Sequence, residues 1–142
     1  MATDDCARIL LQGTLRLSSR LRHERPAGAL ASNKVSVLSY LRRHGPSSPS
    51  TVAAAEHLQL QALTRTFAEL EEDELVARER SESDRRASIL SITEAGSRAL
   101  TEDLDQRATW LAGALGELTE TEQRLLALAA HLMGQLADTP AS

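Results

Sequence analysis

The strongest constraint on the fold lies between His57 and Gly96, where the hydrophobic pattern changes period twice. Leu60, Leu63, Phe67, Leu70 and Leu75 recur at helical spacing, so one stripe of this segment is apolar. Gln59, Gln61, Thr64 and Arg65 fall on other faces near its start. After Leu75 the period shortens. Val76–Arg80 and Ser88–Ile92 are short β-compatible runs on either side of a polar stretch from Ser81 to Arg86. They read as a hairpin with Asp84, Arg85 and Arg86 at its tip. Thr93-Glu94-Ala95-Gly96 then opens another helix, with Thr93 as its N-cap.

The polar side of the first of these helices is uneven. Its acidic residues, Glu69, Glu71, Glu72, Asp73 and Glu74, all come in the later turns, away from the Gln/Thr/Arg end. A helix that meets DNA end-on needs this arrangement, because phosphates repel carboxylates while base edges accept from Arg, Gln and Asn donors.

The rest of the chain must support this segment. Its 142 residues suffice for one domain with a real core. The aromatic residues are Phe67, Tyr40 and Trp110 only, so the core must be mostly Leu and Ala, which favours helices. No run of about 18 apolar residues occurs, so no transmembrane helix is expected. The N-terminus is acidic ahead of its short apolar run, unlike a signal peptide, and an uncleaved cytoplasmic protein is expected. A single cysteine, Cys6, excludes an intrachain disulfide and a multi-cysteine zinc site. The net charge of −4 opposes a nucleic-acid partner. It is unevenly spread: residues 1–47 carry 8 Lys/Arg against 3 Asp/Glu, residues 48–98 carry 6 against 10, and residues 99–142 carry 2 against 7. The middle segment is thus not basic, which weighs against DNA binding.

In chain order, Ile9, Leu10, Leu15, Leu17 and Leu21 mark an amphipathic helix from Asp4 to about Arg25, with Arg8, Arg16, Arg20 and Arg22 interleaved. Pro26-Ala27-Gly28 ends it. Ser32 is placed to cap a second helix carrying Val35, Leu38 and Leu41, which stops at His44-Gly45-Pro46. Ser48 as N-cap and Pro49 at the first helical position start a third, with Val52, Ala53 and Leu58 as a short buried face. A connection near Leu58–Gln61 leads into the helix that runs through Glu72, which makes a helix-turn-helix pattern. With a hairpin directly after it, the pattern becomes a winged helix. Beyond Gly96, Leu100, Leu104, Ala108, Leu111 and Leu115 form one long stripe, interrupted at Gly116-Glu117-Leu118. Thr119-Glu120-Thr121-Glu122 is a capping box that opens a last helix with Leu125, Leu128, Ala129, Leu132 and Leu136, and residues 138–142 read as a frayed tail. The expected class is mainly α with a small β-hairpin wing: residues 1–28 a dimerisation helix, 29–98 the winged helix-turn-helix, and 99–142 further dimerisation helices. The surplus apolar surface of the terminal helices points to a homodimer, which sets two such helices about one turn of duplex apart.

This order of elements resembles the MarR (multiple antibiotic resistance regulator) family of bacterial transcription factors over nearly the whole chain. Asp84-Arg85-Arg86 followed by Leu90-Ser91-Ile92-Thr93-Glu94-Ala95-Gly96 looks like the family's wing signature. Leu63-Thr64-Arg65 with Leu70-Glu71 is similar to its recognition helix. The resemblance implies a dimeric regulator, commonly a repressor, on a palindromic double-stranded operator. Ser50, Thr51, Gln59, Gln61, Thr64 and Arg65 would contact DNA, and Arg86, oriented by Asp84 and flanked by Arg85, would enter the minor groove. It also implies release by a small, often aromatic or phenolic, effector, for which Arg16, Arg20, Tyr40 and Trp110 are the candidate lining. The chain departs from the family pattern at Glu74, where Gly is usual, and at Ala62, where many relatives have Ser.

Three other readings compete. Arg65, Arg85 and Arg86 could be ordinary surface charges. Cys6 could sense oxidants, but Asp4 and Asp5 beside it would raise a thiol pKa. The acidic middle could suit a winged-helix adaptor that binds protein. His23, His44, His57 and His131 lack ligand spacing, and no nucleophile or phosphate-loop motif occurs, so no metal, cofactor or catalysis is expected.

Overall fold

The computed structural model describes residues 1–25, 28–80 and 87–140. The proposed wing tip at Asp84, Arg85 and Arg86, and the Pro26-Ala27 helix stop, lie outside them. The described chain forms helices α1 (Thr3–His23), α2 (Ser32–His44), α3 (Pro49–Ala55) and α4 (Leu60–Glu72). Strands β1 (Val76–Arg80) and β2 (Ser88–Ile92) follow, then α5 (Glu94–Leu115) and α6 (Glu120–Ala137). Residues 1–106 make one compact unit and residues 107–142 another.

In the first unit a single core gathers Val37, Leu38 and Leu41 of α2, Val52 and Ala53 of α3, Leu63, Phe67 and Leu70 of α4, Val76, Leu90 and Leu100. Phe67, with Leu38, Leu41, Leu63, Leu70, Leu90 and Leu100, dominates it by volume. Each helix contributes residues three or four apart, as a core-facing stripe requires. Leu58 and Leu60 do not join it. Both are about two-fifths exposed; the helix connection sits at residues 56–59, two residues earlier than expected. Ser32 does not cap α2 either: Ala31 holds the cap position without a side-chain bond, and Ser32 is the first helical residue. Ser48 does cap α3, accepting from the Thr51 amide at 3.1 Å, with Pro49 next.

The turns that set the angles between elements are built from backbone hydrogen bonds. α3 and α4 end alike. The Leu58 amide donates to the Ala53 carbonyl at 2.9 Å and that of His57 to Ala54 at 3.1 Å. The Leu75 amide donates to Leu70 at 2.9 Å and that of Glu74 to Glu71 at 3.0 Å. This paired closure leaves the residue after the cap left-handed, a place that favours glycine. Here it holds His57 (φ 56°) and Glu74 (φ 60°). At Glu74 the chain has thus kept the turn and accepted the conformation rather than changed the geometry.

β1 and β2 pair antiparallel from Val76 opposite Ile92 to Arg80 opposite Ser88. Ser47 extends the ladder on the other side of β2, exchanging hydrogen bonds of 2.9 and 2.8 Å with Leu90. The loop ahead of α3 is thereby stitched to the hairpin. Thr93 joins the end of β2 to the end of α4: its amide donates to Leu75 O at 3.1 Å and its hydroxyl to Glu74 O at 2.8 Å. The same hydroxyl accepts from the Gly96 amide at 3.0 Å, which caps α5. Gly96 is required by contact, since a Cβ there would stand 2.1 Å from Leu75 O.

In the second unit, Thr119 and Glu122 form the reciprocal capping box at the start of α6, and Gln123 donates to Leu115 O at 2.8 Å across the α5–α6 turn. Leu125, Leu128, Leu132 and Leu136 are each about half exposed or more, and α6 buries none of its residues. In the first unit α1 likewise buries none, leaving Ile9, Leu11, Leu15 and Leu17 open. No helix among the described residues is long and apolar enough to cross a membrane.

Candidate nucleic-acid interface

The helix-turn-helix exposes the first half of α4. Leu63, Thr66, Phe67 and Leu70 face the core, so Gln61, Thr64 and Arg65 are left on the outer side one helical step apart, with Gln59 at the N-cap. Arg65 has 90 % of its side chain exposed. Thr64 returns its hydroxyl to the Leu60 carbonyl at 3.0 Å, a bond to the turn before it that leaves the oxygen's lone pairs available. The N-terminus of α4 adds the backbone amides of its first turn and the positive end of the helix dipole. Ser50 and Thr51 lie exposed in the first turn of α3, where the Thr51 hydroxyl sits 2.7 Å from that of Ser48. The fold thus brings Ser50, Thr51, Gln59, Gln61, Thr64 and Arg65 onto one helix-turn-helix.

Part of the acid at the end of α4 is paired within the fold. Glu69 pairs with Arg65 at 2.9 Å and with Lys34 of α2 at 3.2 Å. Lys34 also approaches Asp73 at 3.9 Å. Arg78 of β1 grips Glu71 with two bonds, 2.8 and 3.1 Å. Hydrogen bonds from Arg65 and then Lys34 hold the Glu69 carboxyl below the usual carboxylate range. Such exposed pairs contribute little stability. Their larger effect is on the local field: two carboxylates of α4, Glu69 and Glu71, are paired with cations that the sequence places away from them, on α2 and β1. Lys34 and Arg78 were not singled out from the sequence, because nothing in the spacing from residue 34 to residue 69 shows that α2 crosses α4.

A cleft of about 510 Å³ opens beside this surface, lined by Ser48, Ser50, Leu60, Thr64, Arg78 and Ser88 among others. The residues expected to line an effector pocket are elsewhere. Arg16 is exposed on α1, Arg20 pairs with Glu24 at 2.7 Å, and Tyr40 packs its ring against His44 at 4.4 Å. Trp110 is half-buried in the second unit. Cys6 is exposed on α1.

Comparison with known proteins matches the MarR family model to residues 30–88, from just before α2 to the first residue of β2. An HTH-type transcriptional regulator of Mycobacterium tuberculosis is 31% identical over 124 residues, covering 87% of each chain. The HTH-type transcriptional repressor MdtR of Bacillus subtilis is 35% identical over 101 residues, which are 71% of this chain and 63% of MdtR. Among solved structures, the transcriptional repressor CouR bound to a 23-mer DNA duplex superposes with a TM-score of 0.69 at 27% identity, over 88% of this chain and 89% of that one.

Proposed function

The chain belongs to the MarR family of transcriptional regulators, and from that premise we propose that it is a cytoplasmic homodimeric repressor that binds a palindromic operator and is released by a small molecule. The observation that carries the DNA-binding part is the first half of α4. It is exposed and carries donors rather than carboxylates, and the nearest acid beyond it, Glu69 and Glu71, is paired within the fold. Gln61, Thr64 and Arg65 are the base-reading candidates, with Gln59, Ser50 and Thr51 on the phosphates. Asp84, Arg85 and Arg86 follow β1 in sequence and are assigned to the minor groove. The DNA-bound CouR structure supports this mode by likeness, as the repressor MdtR supports the sign of regulation.

The homodimer rests on the open leucine rows of α1 and α6, which a monomer would leave in water. For the effector, Arg16, Arg20 and Tyr40 of the first unit remain one assignment, and Trp110 of the second unit a separate one. The cleft beside α4 is the alternative, because a small acid held there by Arg78 and the Ser48, Ser50 and Thr64 hydroxyls would occupy the DNA-facing side of the helix.

Fluorescence anisotropy with labelled duplexes tests the core of the reading. Affinity for DNA from the chain's own upstream region is expected to exceed that for scrambled sequence and to fall steeply with salt, since each neutralised phosphate contributes about −0.9 to the slope of log K against log salt. Binding that is absent, or flat with salt, would remove the DNA-binding reading and favour the protein-binding adaptor.

A further inference from the structure

Arg65 has 90 % of its side chain exposed on the outer side of α4, yet it is not a loose side chain. Its Nε donates to Glu69 Oε1 at 2.9 Å, and among the described residues neither of its Nη nitrogens has a partner. Glu69 is in turn held by Lys34, which is four-fifths buried between α2 and α4 and touches the other carboxylate oxygen at 3.2 Å. Three charges therefore form a chain from a nearly buried lysine to the helix surface. The middle one takes the side edge of the guanidinium and leaves the end with two Nη donors open. That end is the edge that gives paired hydrogen bonds to O6 and N7 of guanine.

Resting on the DNA-binding reading above, we infer that Glu69, anchored by Lys34, is a positioning residue that sets the sequence selectivity of Arg65. An unheld arginine on an exposed helix samples many rotamers, and it binds any phosphate within reach as readily as one base edge. Clamped at Nε, it presents one geometry. The carboxylate's negative charge, 2.9 Å from Arg65, also opposes any phosphate that approaches the same side chain and weakens binding wherever Arg65 does not find its base. Both effects act in the same direction: Glu69 lowers affinity for arbitrary DNA and preserves affinity for the operator. The Lys34–Glu69 pair ties the same side chain to α2, from which the lysine comes.

The test uses the full chain and two duplexes, one selected by the wild-type protein from a random pool and one of scrambled sequence. Glu69→Gln is expected to bind the scrambled duplex more tightly than wild type and to lower the ratio of selected to scrambled affinity about tenfold, the discrimination one bidentate contact supplies. In an Arg65→Ala background the same substitution should leave the ratio unchanged, and Glu69→Asp should recover part of it in the wild-type background. A merely structural role for Glu69 would change the melting temperature equally in both backgrounds and move neither ratio. A ratio unaffected by Glu69→Gln in a wild type that does discriminate would overturn the inference alone. A wild type that selects no sequence from the pool would overturn the DNA-binding reading and this inference together.

Discussion

Glu74 is a left-handed residue at the end of α4 and the most informative position to perturb. Its φ of 60° closes the turn in which Leu75 and Glu74 donate to Leu70 and Glu71. For an L-residue this conformation costs about 1–2 kcal/mol relative to the ordinary helical region. Glycine removes that cost but brings back about 0.5–1 kcal/mol of chain entropy. The side chain forms no ion pair among the described residues, and its charge lies at the negative end of the helix dipole beside Glu71, Glu72 and Asp73. Removing the charge adds about 0.3–1 kcal/mol. Glu74→Gly should therefore stabilise the protein by about 1 kcal/mol, a rise of roughly 3–5 °C in Tm for a chain of this size. Glu74→Gln removes the charge but keeps the strain and should deliver only the electrostatic part. The Thr93 bond to Glu74 is to a backbone oxygen and survives both changes. Thermal melts of the two variants beside wild type, at one protein concentration, make the comparison. If Glu74→Gly is no more stable than Glu74→Gln, the turn is not strained and the argument fails.

Gly96→Ala places a methyl where Leu75 O already stands, so the start of α5 must shift. Urea unfolding should show a loss of at least about 2 kcal/mol, and an unchanged midpoint would contradict the close approach. Leu132→Glu on the open row of α6 should convert the proposed homodimer to monomer in size-exclusion chromatography and weaken operator binding with it; a variant that still elutes as a dimer would move the interface elsewhere. Arg86→Ala should weaken operator binding with dimerisation intact, and unchanged affinity in a gel-shift titration at fixed salt would remove the wing from the interface. The Glu69 carboxyl, lowered first by Arg65 and then by Lys34, contributes stability that is present above its unfolded value of 4.5 and is lost as pH falls through the lower folded value. The stability difference between wild type and Glu69→Gln should accordingly close as urea titrations are moved to acid pH, and a difference that widens there would show that the sign is wrong.

Local signals carried most of the secondary structure. Both hairpin strands end where the β-compatible runs end, and the Ser48-Pro49, Thr93 and Thr119–Glu122 helix starts all form as their residue types require. A cap or a strand run is decided within a few residues, so neighbours in sequence are enough to specify it. Ser32 fails as a cap by one position, since serine is also acceptable as a first helical residue and nothing local chooses between the two. Leu58 and Leu60 fail for a related reason: apolar type alone does not say where a helix turns away from the core.

What the sequence by itself determined was the order of elements, the apolar stripes that bury them, and the placing of Gln59, Gln61, Thr64 and Arg65 ahead of the acid on one helix. Only the tertiary structure decided what that acid does. The cations that neutralise Glu69 and Glu71 are Lys34 and Arg78, brought in from α2 and β1 by packing around Phe67 and Leu38. Likewise, Ser47 became part of the hairpin's ladder, and Gly96 became indispensable to the start of α5, only because the folded chain brings Leu90 and Leu75 against them. Electrostatic and contact energies depend on distance in space, and over such separations along the chain spacing in sequence gives no measure of that distance.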